Sequence, residues 1–158
     1  MSWTKKAAAG FRICSMRITA KASYACLAML ELAAHHSDSQ PVQLKTIARA
    51  HRIPPRFLVQ ILLQLKAVGL VNSTRGSFGG YQLARPPGDI SLAEVINAID
   101  RNSAAPPGPL ATPRSPTAKA VRDLWDEIQS GEQRALEEIT LAELARRTLQ
   151  TGVATYQI

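Results

Sequence analysis

Cysteine, aromatic side chains and long apolar runs are all scarce in this chain of 158 residues. The two cysteines are too few for a disulfide framework, which favours a reducing, cytoplasmic location. No run of about 18 apolar residues occurs, so we expect no contact with a membrane. The weakly basic start lacks the apolar segment of a secretory signal. Hydrophobic residues still make up 46% of the chain, enough for one aliphatic and mainly helical core.

The residue patterns of an enzyme site are also missing. The glycines between positions 76 and 80 are not followed by a helical pattern, so they do not form a nucleotide-binding loop. We find neither a nucleophile elbow nor paired carboxylates in a candidate pocket. The sequence therefore predicts a protein that is not an enzyme.

Positive charge is concentrated in the first part of the chain. Residues 1–90 hold 12 Lys or Arg and 3 Asp or Glu, whereas residues 91–158 hold 7 and 9. A basic half is typical of proteins that bind a polyanion such as nucleic acid, although a merely basic surface would give the same count.

Three helix signals follow one another before residue 70. Thr19 is a candidate N-cap for a helix through about Leu32, and a short helix fits residues 44–50. A third helix begins at Pro54 and Pro55 and stops at Gly69. The predicted apolar stripes contain Tyr24, Leu27, Ala28, Leu30 and Ala34 in the first helix, Leu44, Ile47 and Ala48 in the second, and Leu58, Ile61, Leu62, Leu65 and Val68 in the third. Helix, short helix, turn and helix is the order of a helix-turn-helix.

A β-hairpin is predicted directly after the third helix. Its strands are residues 70–71 and 81–83, and the glycines at 76, 79 and 80 suit its tip. A hairpin in this place is the wing of a winged helix-turn-helix. It would place Arg75 within reach of a phosphate or of the minor groove.

Two helical regions flank a proline-rich loop, residues 101–116, which we expect to be mobile, with Ser115 or Thr117 near the next helix start. Before the loop, Ser91 and Glu94 form a capping box that opens a helix through about Asp100.

After the loop, a long amphipathic helix is predicted over residues 117–138. A second capping box, Thr140 with Glu143, opens a short helix to about Leu149, followed by a tail at 151–158. The apolar stripe of the long helix either packs against a second copy of the chain or folds back on the domain. We favour self-association, because a long helix outside the domain has nothing else to cover it. The residues expected at this dimer contact are Val121, Leu124, Trp125, Ile128, Leu136 and Ile139.

Four segments, in order, resemble the Rrf-type family of bacterial regulators, the group that includes IscR, NsrR and CymR. They are MRITAKASYACLAMLELA, IPPRFLVQILLQLKAVGLV, RGSFGGYQLARPP, and LWDEIQ with ITLAELA. The resemblance implies a mainly α fold with a small β-hairpin. A winged helix-turn-helix domain would span residues 16–100, and a dimerisation helix with a short terminal helix would span 117–150. The function implied is that of a homodimeric transcription factor, usually a repressor, that binds an inverted repeat in double-stranded DNA.

The family pattern begins at Met16. Residues 1–15 are then an upstream extension, expected to be disordered, or a basic arm in which Lys5, Lys6 and Arg12 reach DNA. We favour the first interpretation.

The resemblance implies that the third helix enters the major groove. Arg56 and Gln60 would lie near base edges, where Arg pairs with guanine and Gln with adenine, although Arg56 could instead contact only phosphate. Relatives commonly carry an acidic residue in place of Val59 and tyrosine in place of Phe57. Further candidates for DNA contact are Arg17, Lys21, Tyr24, Lys45, Lys66, Arg75 and Ser77, of which Tyr24 fits the core equally well.

An alternative function is that of a protein-interaction module that has lost the ability to recognise a DNA sequence. Val59 and Phe57 favour this alternative and the basic half opposes it.

Iron–sulfur members of the family carry three cysteines between the fourth helix and the long helix. Residues 102–119 of this chain contain no Cys, His, Asp or Glu. Arg122 falls near the position of a further ligand and cannot be deprotonated to bind metal. Cys26 fits the helical core as a small apolar residue. We therefore expect no cluster, no other metal and no cofactor. The signal would be a small molecule bound between domain and long helix, or a protein partner.

Overall fold

The computed structural model describes residues 18–100 and 108–155. Residues 1–17, which include the proposed extension and Arg17, residues 101–107 of the proline-rich loop, and residues 156–158 lie outside the described residues. The elements are α1 (Ala20–Ala34), α2 (Leu44–His51), α3 (Pro55–Ala67), β1 (Val71–Thr74), β2 (Gly80–Leu83), α4 (Leu92–Ile99), α5 (Pro116–Glu138) and α6 (Leu141–Thr155). Short 3₁₀ turns lie at Pro87–Asp89 and Gly108–Leu110. This architecture confirms the predicted fold class, mainly helical with a small β-hairpin.

Helix α1 forms the centre of the core and contacts α2, α3, α4, α6 and β2. Thr19 caps it as predicted, with its hydroxyl accepting a hydrogen bond from the Ala22 amide at 3.1 Å. The predicted buried stripe is wrong for all but Ala28, because Ala34 is exposed and Tyr24, Leu27 and Leu30 are only partly buried. The fully or nearly fully buried residues are Ala22, Ala25, Ala28, Met29 and Leu32. Small alanine side chains let neighbouring helices approach closely, so they occupy the most crowded face.

Helix α3 packs on this core through Leu58, Ile61, Leu62 and Leu65, as predicted, and all four are fully buried. Truncation of such a leucine to alanine typically costs about 2–5 kcal/mol. Val68 is the exception to the predicted stripe, with 38% of its surface exposed, because the helix has already ended there.

A Schellman motif ends α3. The Gly69 amide donates to the carbonyl of Lys66, and the Leu70 amide donates to the carbonyl of Leu65, both at 3.0 Å. Gly69 has φ +77°, a conformation that glycine adopts without steric cost. Leu65 and Leu70 are both buried beside the motif. This ending sends the chain directly from the third helix into the wing.

A polar contact joins α1 to the end of α2. One carboxylate oxygen of Glu31 lies 2.9 Å from Nε2 of His51, and the other lies 3.6 Å from Nδ1 of His35. Arg52 directly follows His51 and forms the turn between α2 and α3. Its φ of 52° lies in the left-handed region, which is uncommon for a residue other than glycine. Ile53 then buries its side chain and fixes the entry into α3.

The wing is an antiparallel hairpin in which Val71 pairs with Leu83 and Thr74 pairs with Gly80. Its second strand is also hydrogen-bonded to the segment before α2. The Val42 amide donates to the Tyr81 carbonyl at 2.9 Å, and the Tyr81 amide donates to the Val42 carbonyl at 2.8 Å. The predicted wing is therefore present, and its second strand is hydrogen-bonded to β1 on one side and to Val42 on the other.

The last helices return to the domain through α4. Ser91 and Glu94 form the predicted capping box, and an antiparallel bridge joins Ser91 to Thr140. Only half of the second predicted box is observed: the Thr140 hydroxyl accepts from the Glu143 amide at 3.2 Å. The Glu143 carboxylate is held instead by Arg146 and Arg147, whose hydrogen bonds lower its pKa to about 2.

Helix α6 is longer than the sequence predicted. It continues beyond Leu149 to Thr155, into the segment expected to be a tail. Its Leu141 is fully buried, and the helix packs against α1 and the Pro87–Asp89 turn. This support from the domain stabilises a helix whose own end signals are weak. No helix in the described part of the chain is long and apolar enough to span a membrane.

Candidate nucleic-acid interface

One face of α3 is left exposed by the packing of its opposite face. The side chains on it recur at the spacing of successive helical turns and therefore share one side of the helix. They are Arg56, Val59, Gln60 and Leu63, with Phe57 exposed beside them in the first turn. Arg56 and Gln60 present hydrogen-bond donors, whereas Val59 and Leu63 present apolar surface. The face combines the two kinds of contact that base edges accept.

Two side-chain contacts tie the wing to the helix-turn-helix. The Lys66 ammonium, in the last turn of α3, donates to the Ser73 hydroxyl on β1 at 2.6 Å. The side-chain amide of Gln43, just before α2, donates to the backbone carbonyl of Ser77 at the wing tip at 3.5 Å. Together with the Val42–Tyr81 pairing, these contacts hold the wing beside α3.

The positive charges of this surface lack acidic partners. No ion pair within residues 18–100 and 108–155 neutralises Lys21, Lys45, Arg56 or Arg75. In the later helices, by contrast, the ion pairs are Lys119 with Asp123, Arg122 with Asp126, and Arg146 and Arg147 with Glu143. The charge asymmetry of the sequence thus becomes an uncompensated positive surface on the helix-turn-helix and wing.

The other candidate DNA contacts differ in how exposed they are. Lys45 is exposed in the first turn of α2, two residues after the Gln43 that reaches the wing tip. Lys21 is half-buried in the first turn of α1. Tyr24 packs against the hydrophobic core, the alternative that the sequence had left open. Ser77 is exposed at the wing tip.

Three contributors to this surface were not predicted from the sequence. Gln43 and Ser73 act through the contacts that position the wing, and Phe78 projects from its tip with 83% of its surface exposed. Neither Gln43 nor Ser73 belongs to a motif that points to such a role. Phe78 could have been noticed as the one aromatic residue inside a glycine-rich turn.

The long helix α5 has no buried residue within the chain. Leu124 and Trp125 are 56% and 43% exposed, and Val121 and Ile128 are exposed on the same side. The predicted stripe is divided, however. Leu136 and Ile139 are half-buried, because the end of α5 joins the domain where the Leu92 amide donates to the Ile139 carbonyl at 2.8 Å.

Arg122 holds the second part of the proline-rich loop against α5. Its guanidinium donates to the Leu110 carbonyl at 2.9 Å and to the Asp126 carboxylate at 2.9 Å. Ser115 caps α5 as predicted, accepting from the Ala118 amide at 3.1 Å. Arg122 thus joins the described part of the loop to α5 at Leu110, and the mobility expected of the loop stays a prediction.

Cys26 is partly buried against the core. Burial raises the pKa of its thiol to about 11, so the thiol stays protonated near neutral pH. The described residues contain no group of three or more His, Cys, Asp or Glu side chains arranged to hold a metal ion.

A pocket of about 120 Å³ lies between the end of α1 and β2. Its lining includes His35, His36, Val42, Tyr81 and Gln82. The volume is well below the roughly 300–1,000 Å³ of ordinary ligand sites. It lies at the base of the wing and is therefore not the pocket that the sequence suggested between the domain and the long helix.

Comparison with known proteins agrees with this arrangement. Residues 18–147 match the model of the Rrf2 family, described as "Iron-dependent Transcriptional regulator". The Rv1287 protein of Mycobacterium tuberculosis is 41% identical over 148 residues, which is 88% of this chain and 87% of that protein. The transcriptional regulator CymR of Bacillus subtilis is 32% identical over 84% of this chain and 92% of its own length.

Solved structures show the same fold. The structure of CymR, the global cysteine regulator of B. subtilis, superposes with a TM-score of 0.72 at 30% identity, covering 84% of this chain and 98% of that one. The structure of IscR from T. potens superposes with a TM-score of 0.69 at 30% identity, covering 85% and 90%. The fold, the exposed reading helix with its wing, and these matches show that the chain belongs to the Rrf2 family of winged-helix, DNA-binding transcriptional regulators.

Proposed function

We propose that this protein is a dimeric repressor that binds an inverted-repeat operator and carries no iron–sulfur cluster. The observation that carries the proposal is the exposed face of α3 beside a wing whose positive charges have no acidic partner among the described residues. Arg56 and Gln60 read base edges, Val59 contacts at most a thymine methyl, and Arg75 and Ser77 follow the wing into the minor groove. Lys21, Lys45 and Lys66 contact phosphates and add affinity without sequence choice, and Arg17 and Tyr24 are the weaker candidates for such contacts.

The exposed apolar face of α5 supports a homodimer. A helix whose apolar residues are uncovered in one chain gains stability when it packs on a second copy. Val121, Leu124, Trp125 and Ile128 form the centre of this contact, with Leu136 and Ile139 at its edge. Two reading helices related by a two-fold axis require two half-sites about one helical turn, or a multiple of it, apart.

A binding titration tests the proposal directly. The full chain is mixed with duplex fragments from around its own gene and with random duplex of equal length, at several salt concentrations. We expect a preference for at least one fragment and a steep loss of affinity with salt, by roughly 10³-fold or more between 50 and 200 mM if six or more phosphates are contacted. Equal and weak binding to every duplex would contradict the proposal and favour the protein-interaction module.

The iron implied by the family description does not fit the residues present. Thiolates are the usual ligands of iron–sulfur clusters, and residues 102–119 contain no Cys, His, Asp or Glu. Arg122 uses its guanidinium to hold the Leu110 carbonyl and the Asp126 carboxylate. The raised pKa of Cys26, caused by burial, keeps its thiol protonated. These features support a regulator whose signal is a small molecule or a protein partner.

Protein purified without oxygen is therefore expected to be colourless. We expect no charge-transfer absorbance above about 400 nm, where iron–sulfur proteins absorb through their thiolate–iron bonds, and no stoichiometric iron or sulfide. A brown protein containing both elements would contradict the proposed absence of a cluster.

A further inference from the structure

Phe78 is the most exposed of the large apolar side chains in the described residues, at 83%. Single exposed apolar residues are common on protein surfaces, so its exposure alone has no functional meaning. Leu149 on α6 is comparably exposed, at 72%, and lies outside the candidate interface. What distinguishes Phe78 is its position in the turn at the tip of the wing.

The tip of the wing is a hydrogen-bonded four-residue turn. The Gly79 amide donates to the Gly76 carbonyl at 3.0 Å, which places Ser77 and Phe78 at the two central positions of a four-residue turn. A Cβ atom at Gly79 would collide with the Thr74 carbonyl, so the backbone there is tightly closed. Side chains at the centre of such a turn project away from both strands.

Two contacts link the wing to the helix-turn-helix. The side-chain amide of Gln43 donates to the Ser77 carbonyl at the tip, and Lys66 on α3 donates to Ser73 on β1. The turn that carries Phe78 is therefore connected to the segment before α2 and to the last turn of α3. Arg75 lies three residues before Phe78, exposed and without an ion-pair partner in the described chain.

We propose that Phe78 enters the minor groove as a wedge that partly unstacks one base step, while Arg75 is drawn to the negative potential of the same groove. The inference rests on the proposed function, in which α3 and the wing bind DNA. Apolar side chains inserted from the minor groove kink the duplex toward the major groove, where α3 lies. Such a wedge is accommodated best at the easily unstacked pyrimidine–purine steps TA and CA/TG. The wing would thus select for flexible steps at the places where it contacts each half-site.

The test uses a duplex selected by the native full chain from a random-sequence library. Native protein, Phe78→Ser and Phe78→Trp are compared for affinity, for bending measured by energy transfer between end labels, and for the fluorescence of 2-aminopurine placed at the step facing the wing. We expect 2-aminopurine fluorescence to rise with native protein. We expect Phe78→Ser to bind about tenfold more weakly, to bend the duplex less and to lose the preference for a pyrimidine–purine step. Phe78→Trp should keep all three properties.

Leu149→Ser is the matched control, because it removes a comparably exposed apolar side chain from a different surface. It should behave as native protein does. If the native protein binds a selected duplex but Phe78→Ser matches it in affinity, bending and fluorescence, the wedge is wrong and the DNA-binding function stands. If the native protein selects no duplex at all, the proposed function itself fails, and the wedge fails with it. Because Phe78 is largely exposed, its substitution should leave the helical circular dichroism spectrum unchanged.

Discussion

Trp125→Asp is expected to convert the proposed dimer to a monomer. Trp125 lies at the centre of the exposed apolar face of α5, between Leu124 and Ile128. Removal of a tryptophan from the centre of an interface typically costs 2 kcal/mol or more, or roughly 30-fold in the dissociation constant. Burial of an unpaired carboxylate adds to this loss. Sedimentation equilibrium measures the change in mass directly.

Operator binding should fall together with the dimer. A monomer contacts one half-site and loses the second reading helix, so its binding should approach that of random duplex at the same salt concentration. Ser130→Asp is the matched control. It places the same charge on the opposite side of α5, where Ser130 is exposed. If Trp125→Asp remained dimeric while folded, the dimer contact proposed on α5 would be wrong.

Arg56→Ala is expected to weaken operator binding and to relax the choice of one base pair in each half-site. A bidentate contact between arginine and guanine contributes about 1–3 kcal/mol of discrimination, so each half-site should lose roughly 5- to 150-fold. Affinity for random duplex should change much less. The measurement is a competition titration with the selected duplex and its single-base variants. Because Arg56 is exposed, the stability of the fold should be unaffected.

Arg134→Ala serves as the control for loss of one positive charge. Arg134 is exposed on α5, away from α3 and the wing. It should reduce binding only slightly, through the general field of the protein. If Arg56→Ala weakened selected and random duplex by the same factor, Arg56 would be a phosphate contact and the base-reading role would belong to Gln60 alone.

The two halves of α5 have different surroundings. Its first half carries the exposed apolar face, whereas its end is joined to the start of α4 by the Leu92–Ile139 hydrogen bond and the bridge between Ser91 and Thr140. The described part of the proline-rich loop is held to the same helix by Arg122. The chain thus has a hydrogen-bonded joint between the described part of the loop and α5.

The elements of this fold could be predicted from the sequence where a local signal specifies them. Thr19 and Ser91 mark helix starts because the hydroxyl of each accepts from the backbone amide three residues later. Gly69 marks a helix end because of its positive φ. The exposed face of α3 followed from the burial of its opposite side at helical spacing. All of these depend on neighbours within a few positions along the chain.

Contacts between distant segments were decided only by the tertiary structure. The buried face of α1 is set by the four helices and the strand around it. It contains Ala22, Ala25, Met29 and Leu32, which the apolar pattern had not selected. The contact of Gln43 with Ser77 spans 34 residues and has no local signature. The sequence by itself determined the helices, the wing and the charge asymmetry, through short-range hydrogen bonding and composition. Which side chains are exposed together beside the wing, and which part of α5 stays uncovered, depended on the packing of distant segments against one another.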